Sequence, residues 1–207
     1  MSHPWRSEPG IALLAPVATV EEAAAAAAAG AGLVDAGDDA ALVPAIRRTV
    51  SGVRVCGEHE DADLVRDAAL AARTGAALIC PGADAAEAVA RRGIAARRIL
   101  VQAAPAGIEA AVRAGWQVLA DLERLADLEG GADLDGLTGL DGPHGPARTE
   151  AAAAVCAWLG ASVLRTRHVA EVRRCADMTE SIKDTLLREY SIGCYEILNQ
   201  GGVCRTG

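Results

Sequence analysis

The fold prediction rests on one stretch near the C-terminus, Gly160-Ala-Ser-Val-Leu-Arg-Thr-Arg-His-Val169. It follows an alanine-rich helical run, crosses a glycine turn and continues as a short apolar strand. Alternate residues of a strand share a face, so Arg165 and Arg167 are predicted to point the same way. Two adjacent guanidiniums, with His168 beside them, can bind an anion through their planar sets of donors. The alternative is a pair of structural arginines neutralised by nearby Asp or Glu.

The same helix-then-strand pattern recurs along the chain at intervals of 40 to 45 residues. Four glycines mark it: Gly30, Gly75, Gly115 and Gly160. Glycine past a helix end adopts the left-handed conformation that other residues resist, and the apolar residues after it are typical of a buried parallel strand. Each interval has room for roughly two strand–helix units. The predicted strands are 11–15, 32–35, 53–56, 77–80, 99–102, 117–120 and 162–166.

Alternating strands and helices predict an α/β fold with a parallel sheet, and a (β/α) TIM-type barrel fits the strand count best. Seven strands are evident, the length is at the low end for such barrels, and residues 63–73 are predicted to form a helix. Either one strand–helix unit is absent or Leu134–Leu140 supplies the eighth strand. Dinucleotide-binding and phosphate-loop glycine motifs are absent from the sequence.

The predicted barrel covers residues 1–182, and residues 183–207 form a compositionally distinct C-terminal tail. The only Lys, the only Asn and both Tyr of the chain lie in this tail. It is interpreted as a joined piece of unrelated sequence. The alternative is a docking peptide that carries the function on an inert carrier.

Composition and charge exclude several classes of protein. Of the 207 residues, 51% are hydrophobic but none is Phe, so Ala, Val, Leu and Ile must build the core. A net charge of −8 without a basic cluster argues against nucleic acid. The alanine run Ala23–Ala29 is too short to span a bilayer, and no signal-peptide pattern precedes it. Six scattered cysteines form neither a zinc framework nor a disulfide scaffold. We expect a cytoplasmic protein without a metal site or a membrane partner.

The last third of the chain resembles the dihydropteroate synthase family. Gly160–Arg174 is similar to the family's final strand and helix, where an Arg-Val-His-Asp/Glu-Val motif precedes a helix rich in Ala and Arg. Arg165 and Val169 match the motif's Arg and second Val. Arg167 takes the place of its His, and His168 that of its acid. This resemblance implies a barrel with a pterin pocket at its mouth.

Other parts of the chain resemble the family's pterin-pocket motifs, but most of the polar residues differ. Asp35 is retained after the second strand, whereas Cys56 stands where an Asp is expected. Gln102 replaces the Asp of an Asp-Pro strand end, and Arg124 replaces the Lys of a Ser-x-Lys motif. Cys80 stands where an Asn-Asp pair is expected, unless its strand is the next one and one unit has been lost. Cys56 and Cys80 would then lie at neighbouring strand ends, as a thiol pair or as inert buried residues.

Members of the family join p-aminobenzoate to a dihydropterin pyrophosphate, with Mg²⁺ accompanying the pyrophosphate. Each lost charge-assisted hydrogen bond costs about 1.5–3 kcal/mol, so four substitutions should abolish pterin recognition. The resemblance therefore implies a degenerate synthase that keeps an anion-binding mouth for phosphate or pterin pyrophosphate. The alternatives are an active transferase of folate biosynthesis and a different phosphate-binding barrel enzyme.

The family also dimerises through its late helices. By resemblance, Glu150–Leu159 and Ala170–Glu180 are the candidate contact surfaces. The chain is accordingly expected to form a homodimer or to pair with an active homologue.

Overall fold

Eight parallel strands close into a barrel, which confirms the predicted (β/α) fold. A computed structural model describes the backbone of residues 10–124 and 146–200, and the side chains of residues 10–124 and 147–186. Each strand pairs with the next, and the last pairs with the first through the register Leu14↔Arg165. The strands are β1 Ala12–Pro16, β2 Leu33–Asp35, β3 Arg54–Cys56, β4 Leu64–Val65, β5 Ala77–Cys80, β6 Ile99–Gln102, β7 Gln117–Asp121 and β8 Val163–Arg165.

Helices follow most of the strands and cover the outside of the barrel. They are α1 Val20–Ala28, α2 Leu42–Thr49, α3 Ala68–Thr74, α4 Ala83–Arg91, α5 Pro105–Arg113, α6 Pro146–Leu159 and α7 Val169–Gln200, with a 3₁₀ turn at Ala96–Arg98. Gly75 ends α3 with φ 80° and Gly160 follows α6 with φ 100°. A side chain at either position would strain the backbone, which is why the glycine pattern located these helix ends.

The strand β4 was missed by the sequence analysis, and the predicted helix over 63–73 is wrong in its first turn. Leu64 and Val65 form a strand, and α3 begins only at Ala68, where Asp67 Oδ1 accepts a hydrogen bond from the Leu70 N–H at 2.6 Å. The barrel therefore has all eight strands, and the expectation that one strand is missing is wrong. The segment 134–140, which was the other candidate for an eighth strand, lies outside the described residues.

A loop instead of a helix joins β3 to β4. This is possible because the two strands are staggered, with Cys56 at the end of β3 paired to Leu64 at the start of β4. Asp63 fixes the return of the chain: its N–H donates to the Val55 carbonyl at 2.8 Å, and its carboxylate accepts from the Val55 N–H at 2.9 Å. Two strand residues are too few to show any periodicity, which explains the error.

Alternate strand residues point into the barrel and out toward the helices. The inward residues pack into one cluster, which we call the interior cluster: Leu14, Leu33, Cys56, Leu64, Ala77, Ile79, Leu100, Leu119 and Val163. The outward residues join the helices in two larger clusters. Because the interior is filled with side chains, the place left for a ligand is above it, at the carboxyl ends of the strands.

The helix α7 continues without a break across the boundary expected between barrel and tail. Lys183, the first tail residue, donates from Nζ to the carbonyls of Ala157 and Trp158 at 3.2 and 3.1 Å. The tail therefore begins as part of the packing between α6 and α7. In the described part of the chain, no helix is both long and apolar enough to cross a bilayer.

Candidate functional site

Ion pairs between strand ends occupy the centre of the barrel mouth. Arg165 donates from Nε to Asp35 Oδ2 at 3.2 Å and from Nη1 to Asp121 Oδ2 at 3.1 Å. Arg66 donates from Nη2 to the same Asp35 oxygen at 2.7 Å. We call these four residues the ion cluster. For Arg165, the structure therefore shows the neutralised arrangement that the sequence left open.

Strand periodicity explains why these four side chains meet. Asp35, Asp121 and Arg165 each lie two positions after an inward residue of the interior cluster, on β2, β7 and β8, so they share its face. Arg66 follows Leu64 of β4 in the same way. Sequence reasoning missed Arg66 because its strand was taken for a helix.

The protonation states within the mouth follow from burial and from these ion pairs. Burial alone would raise the pKa of Asp35, but Arg66, the Gly37 N–H and Arg165 together hold it below its ordinary value. Asp35 is therefore a carboxylate. Burial, and then the neighbouring Asp35 charge, raise the pKa of the Cys56 thiol far above its usual range. Cys56 accordingly stays protonated and cannot supply the negative charge of the Asp that it replaces in the resemblance.

Beside the ion cluster, the mouth contains a cavity of about 230 Å³, which we call the central cavity. Its lining consists of Leu14, Arg66, Ile79, Gln102, Leu119, Asp121, Arg124 and Arg165. Three of the positions selected from the sequence, Gln102, Arg124 and Arg165, thus converge on one open pocket. Among the charged residues that line the central cavity, three guanidiniums face one carboxylate, Asp121, while Asp35 bridges Arg66 and Arg165 beside it.

Cys80 does not reach the mouth. It points outward from β5 into the cluster between barrel and helices, where it is 2% exposed. Burial raises the pKa of its thiol, which is typical of an inert cysteine. Because β4 lies between β3 and β5, Cys56 and Cys80 are not at neighbouring strand ends. The residues that follow the fourth strand, where the Asn-Asp pair was expected, are Arg66 and Asp67.

The other two residues of the predicted anion site lie at the edge of the mouth. Arg167 is exposed, and its backbone N–H donates to the Glu123 carboxylate at 2.9 Å. His168 directly precedes α7: its N–H donates to Thr166 Oγ1 at 3.0 Å, and its carbonyl accepts from the Val172 N–H. The described contacts of His168 are thus those of a helix cap.

A second, larger opening lies outside the barrel, and we call it the side groove. It has a volume of about 760 Å³ between α1 and the first turn of α7. Arg165 and Arg167 line its end near the mouth, but β8 ends at Arg165, so Arg167 lies past the strand and the two do not share a strand face. Ala25 and Ala26 of α1, and Ala29 directly after it, line one side.

A metal site is not apparent in the described residues, which contain no group of three or more His, Cys, Asp or Glu arranged to hold an ion. The two buried carboxylates at the mouth are both paired with arginines. They form a salt-bridge network, so a cation would have to compete with the guanidiniums for these oxygens.

Comparison with known proteins identifies solved structures with a similar fold, but none with a closely similar sequence. No family model matches the chain, and no curated protein does. Among solved structures, Rv1207 of Mycobacterium tuberculosis aligns with a TM-score of 0.63 at 21% identity, covering 86% of this chain and 94% of that one.

Dihydropteroate synthases align equally well. The enzyme of Coxiella burnetii in complex with pteroic acid gives a TM-score of 0.68 at 12% identity, over 87% of this chain and 96% of its own. That of Xanthomonas albilineans gives 0.67 at 16% identity, over 84% and 94%. The resemblance found in the sequence is therefore confirmed as a likeness of fold to dihydropteroate synthases.

Proposed function

We propose that this chain is a dihydropteroate-synthase-like barrel whose mouth binds a small anion and whose pterin site is degenerate. The observation that carries the proposal is the central cavity, where Arg66, Arg124 and Arg165 converge beside a single lining carboxylate. The ligand class is a phosphate or a compact carboxylate.

The charges and the size of the central cavity both favour such a ligand. Within the described residues, the Arg124 guanidinium has no carboxylate within ion-pair distance, so it can offer its donors to an anion. Arg66 and Arg165 each have donors that their Asp partners leave unused. A volume of about 230 Å³ is below the roughly 300–1,000 Å³ of pockets for drug-sized ligands. It suits a phosphate better than a whole pterin pyrophosphate.

The same contacts argue against pterin recognition. By resemblance, a pterin pocket needs buried Asp and Asn side chains that are free to bind the ring edge. Here Asp35 and Asp121 are paired with arginines, Cys56 is a neutral thiol and Gln102 carries no charge. A pterin would have to break these pairs, which is costly for buried charges. The engaged carboxylates also fit poorly with a Mg²⁺ that would accompany pyrophosphate.

Two measurements on the intact chain test this proposal. With dihydropterin pyrophosphate and p-aminobenzoate we expect no turnover at an enzymatic rate. In calorimetric titrations, inorganic phosphate should bind, and Arg124→Ala should weaken it by roughly tenfold or more, because one charge-assisted hydrogen bond is lost.

The matched control is Arg97→Ala, which removes an exposed arginine before β6, at the opposite end of the barrel. It should leave phosphate affinity unchanged. Ordinary synthase turnover would establish the active enzyme instead, and equal effects of the two variants would show that phosphate binds elsewhere.

We also propose that the chain forms a homodimer through its late helices. The large exposed apolar side chains of the described residues lie on α5, α6 and α7: Val112, Val155, Trp158, Met178 and Ile182. Trp158 and Met178 are 50% and 59% exposed. Lys183, next to Ile182, bonds to the Trp158 carbonyl, so this part of α7 lies beside the end of α6. Exposed apolar patches of this kind mark protein interfaces.

Sedimentation velocity tests the dimer. The unchanged chain should sediment as a dimer and Trp158→Glu as a monomer, because a buried unpaired carboxylate disrupts an apolar interface. Ala69→Glu, on the exposed face of α3, is the control and should remain dimeric. A monomeric parent chain, or a dimeric Trp158→Glu variant, would contradict the proposal.

A further inference from the structure

The alanines of α1 leave the side groove open along one face of that helix. Glu22, Ala25, Ala26 and Ala29 line it, at the spacing that places residues on a single helix face. Ala26 and Ala29 are partly buried against the core cluster that includes Val169 and Val172 of α7, and the groove opens beside them. At about 760 Å³, the groove is within the size range of small-molecule pockets.

The groove adjoins the central cavity at Arg165, which lines both, but it extends along the outer side of β1. Its floor includes Ala15, which faces outward from β1, whereas the adjacent Leu14 faces the barrel interior. Beyond Ala29, Arg173 of α7 ties the two helices together by donating to the Gly30 carbonyl at 3.0 Å. The face from residue 22 to residue 29 is about 10 Å long at the rise of an α-helix.

Some charged side chains at the mouth end of the groove already have partners, whereas others are able to contact a ligand. Arg165 and Asp35 belong to the ion cluster, and Glu22 Oε2 accepts from the Ala18 N–H at 2.7 Å. Arg167 has an exposed guanidinium with no carboxylate within ion-pair distance among the described side chains. Glu171, in the first turn of α7, is a carboxylate that also lines the groove. Among the described residues it has no ion-pair partner.

We propose that the side groove binds an amphipathic anion. Its carboxylate or phosphate head contacts Arg167 at the mouth end, and its unbranched alkyl chain lies along Ala25, Ala26 and Ala29. Apolar burial against these methyl groups stabilises the chain, while the single available guanidinium selects a negative head. Glu171 opposes this selection, so it limits the affinity. This site goes beyond the phosphate site of the central cavity.

The test is a calorimetric titration of the full chain with octanoate, decanoate, octyl phosphate and octanol. Decanoate should bind more tightly than octanoate, by up to about fourfold for each added buried CH₂. Octanoate or octyl phosphate should bind at least tenfold more tightly than octanol. The better of these two anions identifies the head group as a carboxylate or a phosphate.

Two adjacent exposed alanines provide matched variants. Ala25→Phe fills the groove and should abolish octanoate binding, whereas Ala24→Phe, outside the groove lining, should not change it. Arg167→Ala should weaken octanoate tenfold without affecting octanol, and Glu171→Gln should strengthen octanoate. If a phenylalanine variant fails to fold, the Arg167→Ala and Glu171→Gln variants still test the proposal.

Inorganic phosphate provides the comparison with the central cavity, and its binding should be unchanged in Ala25→Phe. No saturable octanoate binding, or equal effects of the two phenylalanine variants, would overturn the groove proposal while the phosphate result stands. An octanoate affinity that depends on Arg124 and not on Arg167 would also overturn it, since the anion would then occupy the central cavity.

Discussion

Replacing Arg165 by alanine is expected to lower the free energy of unfolding by about 3 kcal/mol, at the lower end of the cost of breaking a buried ion pair. The Asp35 and Asp121 side chains are only 1% and 8% exposed, and both lose a guanidinium. Arg66 still neutralises Asp35, which is why the loss should not be larger. Urea denaturation at neutral pH measures the change.

Arg167→Ala is the matched control for this prediction. It removes the same charged group two residues later, but from an exposed position, and should change stability by no more than about 0.5 kcal/mol. A double variant, Arg165→Met with Asp121→Leu, should recover part of the lost stability, because removing both charges leaves fewer buried charges unpaired. Equal losses in the two single variants would mean that the ion cluster does not stabilise the mouth.

Leu64→Ala is expected to destabilise the chain by about 2–5 kcal/mol, the usual cost of a cavity in a packed core. Leu64 is fully buried on β4 and packs in the interior cluster. The surrounding strands cannot collapse into the cavity without breaking their pairing. Denaturant unfolding, monitored by circular dichroism, provides the measurement.

Leu70→Ala on α3 serves as the comparison, because Leu70 is half-buried and lies outside the barrel. Its effect should be clearly smaller than that of Leu64→Ala. If residues 63–67 formed a helix start at the surface, as the sequence first indicated, Leu64→Ala would cost less than 1 kcal/mol. That outcome would contradict a barrel closed through β4.

Much of the fold could be predicted because each glycine-terminated helix is followed by an apolar strand. The prediction failed at β4, where two apolar residues have neither a preceding glycine nor a measurable period. The Asp67 cap that starts α3 comes so soon after Val65 that strand and helix merge into one pattern. Closure of the barrel, a long-range property, decides the conformation there.

The candidate site was predicted less completely than the fold. Arg165 was found from its strand end, whereas Arg66 was missed along with β4. Asp121 lies at the end of β7 and pairs with Arg165, but it was not among the predicted site residues. Cys80 was assigned to the mouth by the resemblance, and a strand buried on both faces gives no alternation that would show which of its residues point inward.

The most direct test of the central proposal is a crystal structure of this chain soaked separately with phosphate and with a pterin. The account predicts phosphate in the central cavity, within hydrogen-bond distance of Arg66, Arg124 and Arg165, and no pterin at the mouth. A pterin bound to Asp35 or Asp121, with the arginines displaced, would contradict it, and so would an empty central cavity in the phosphate soak.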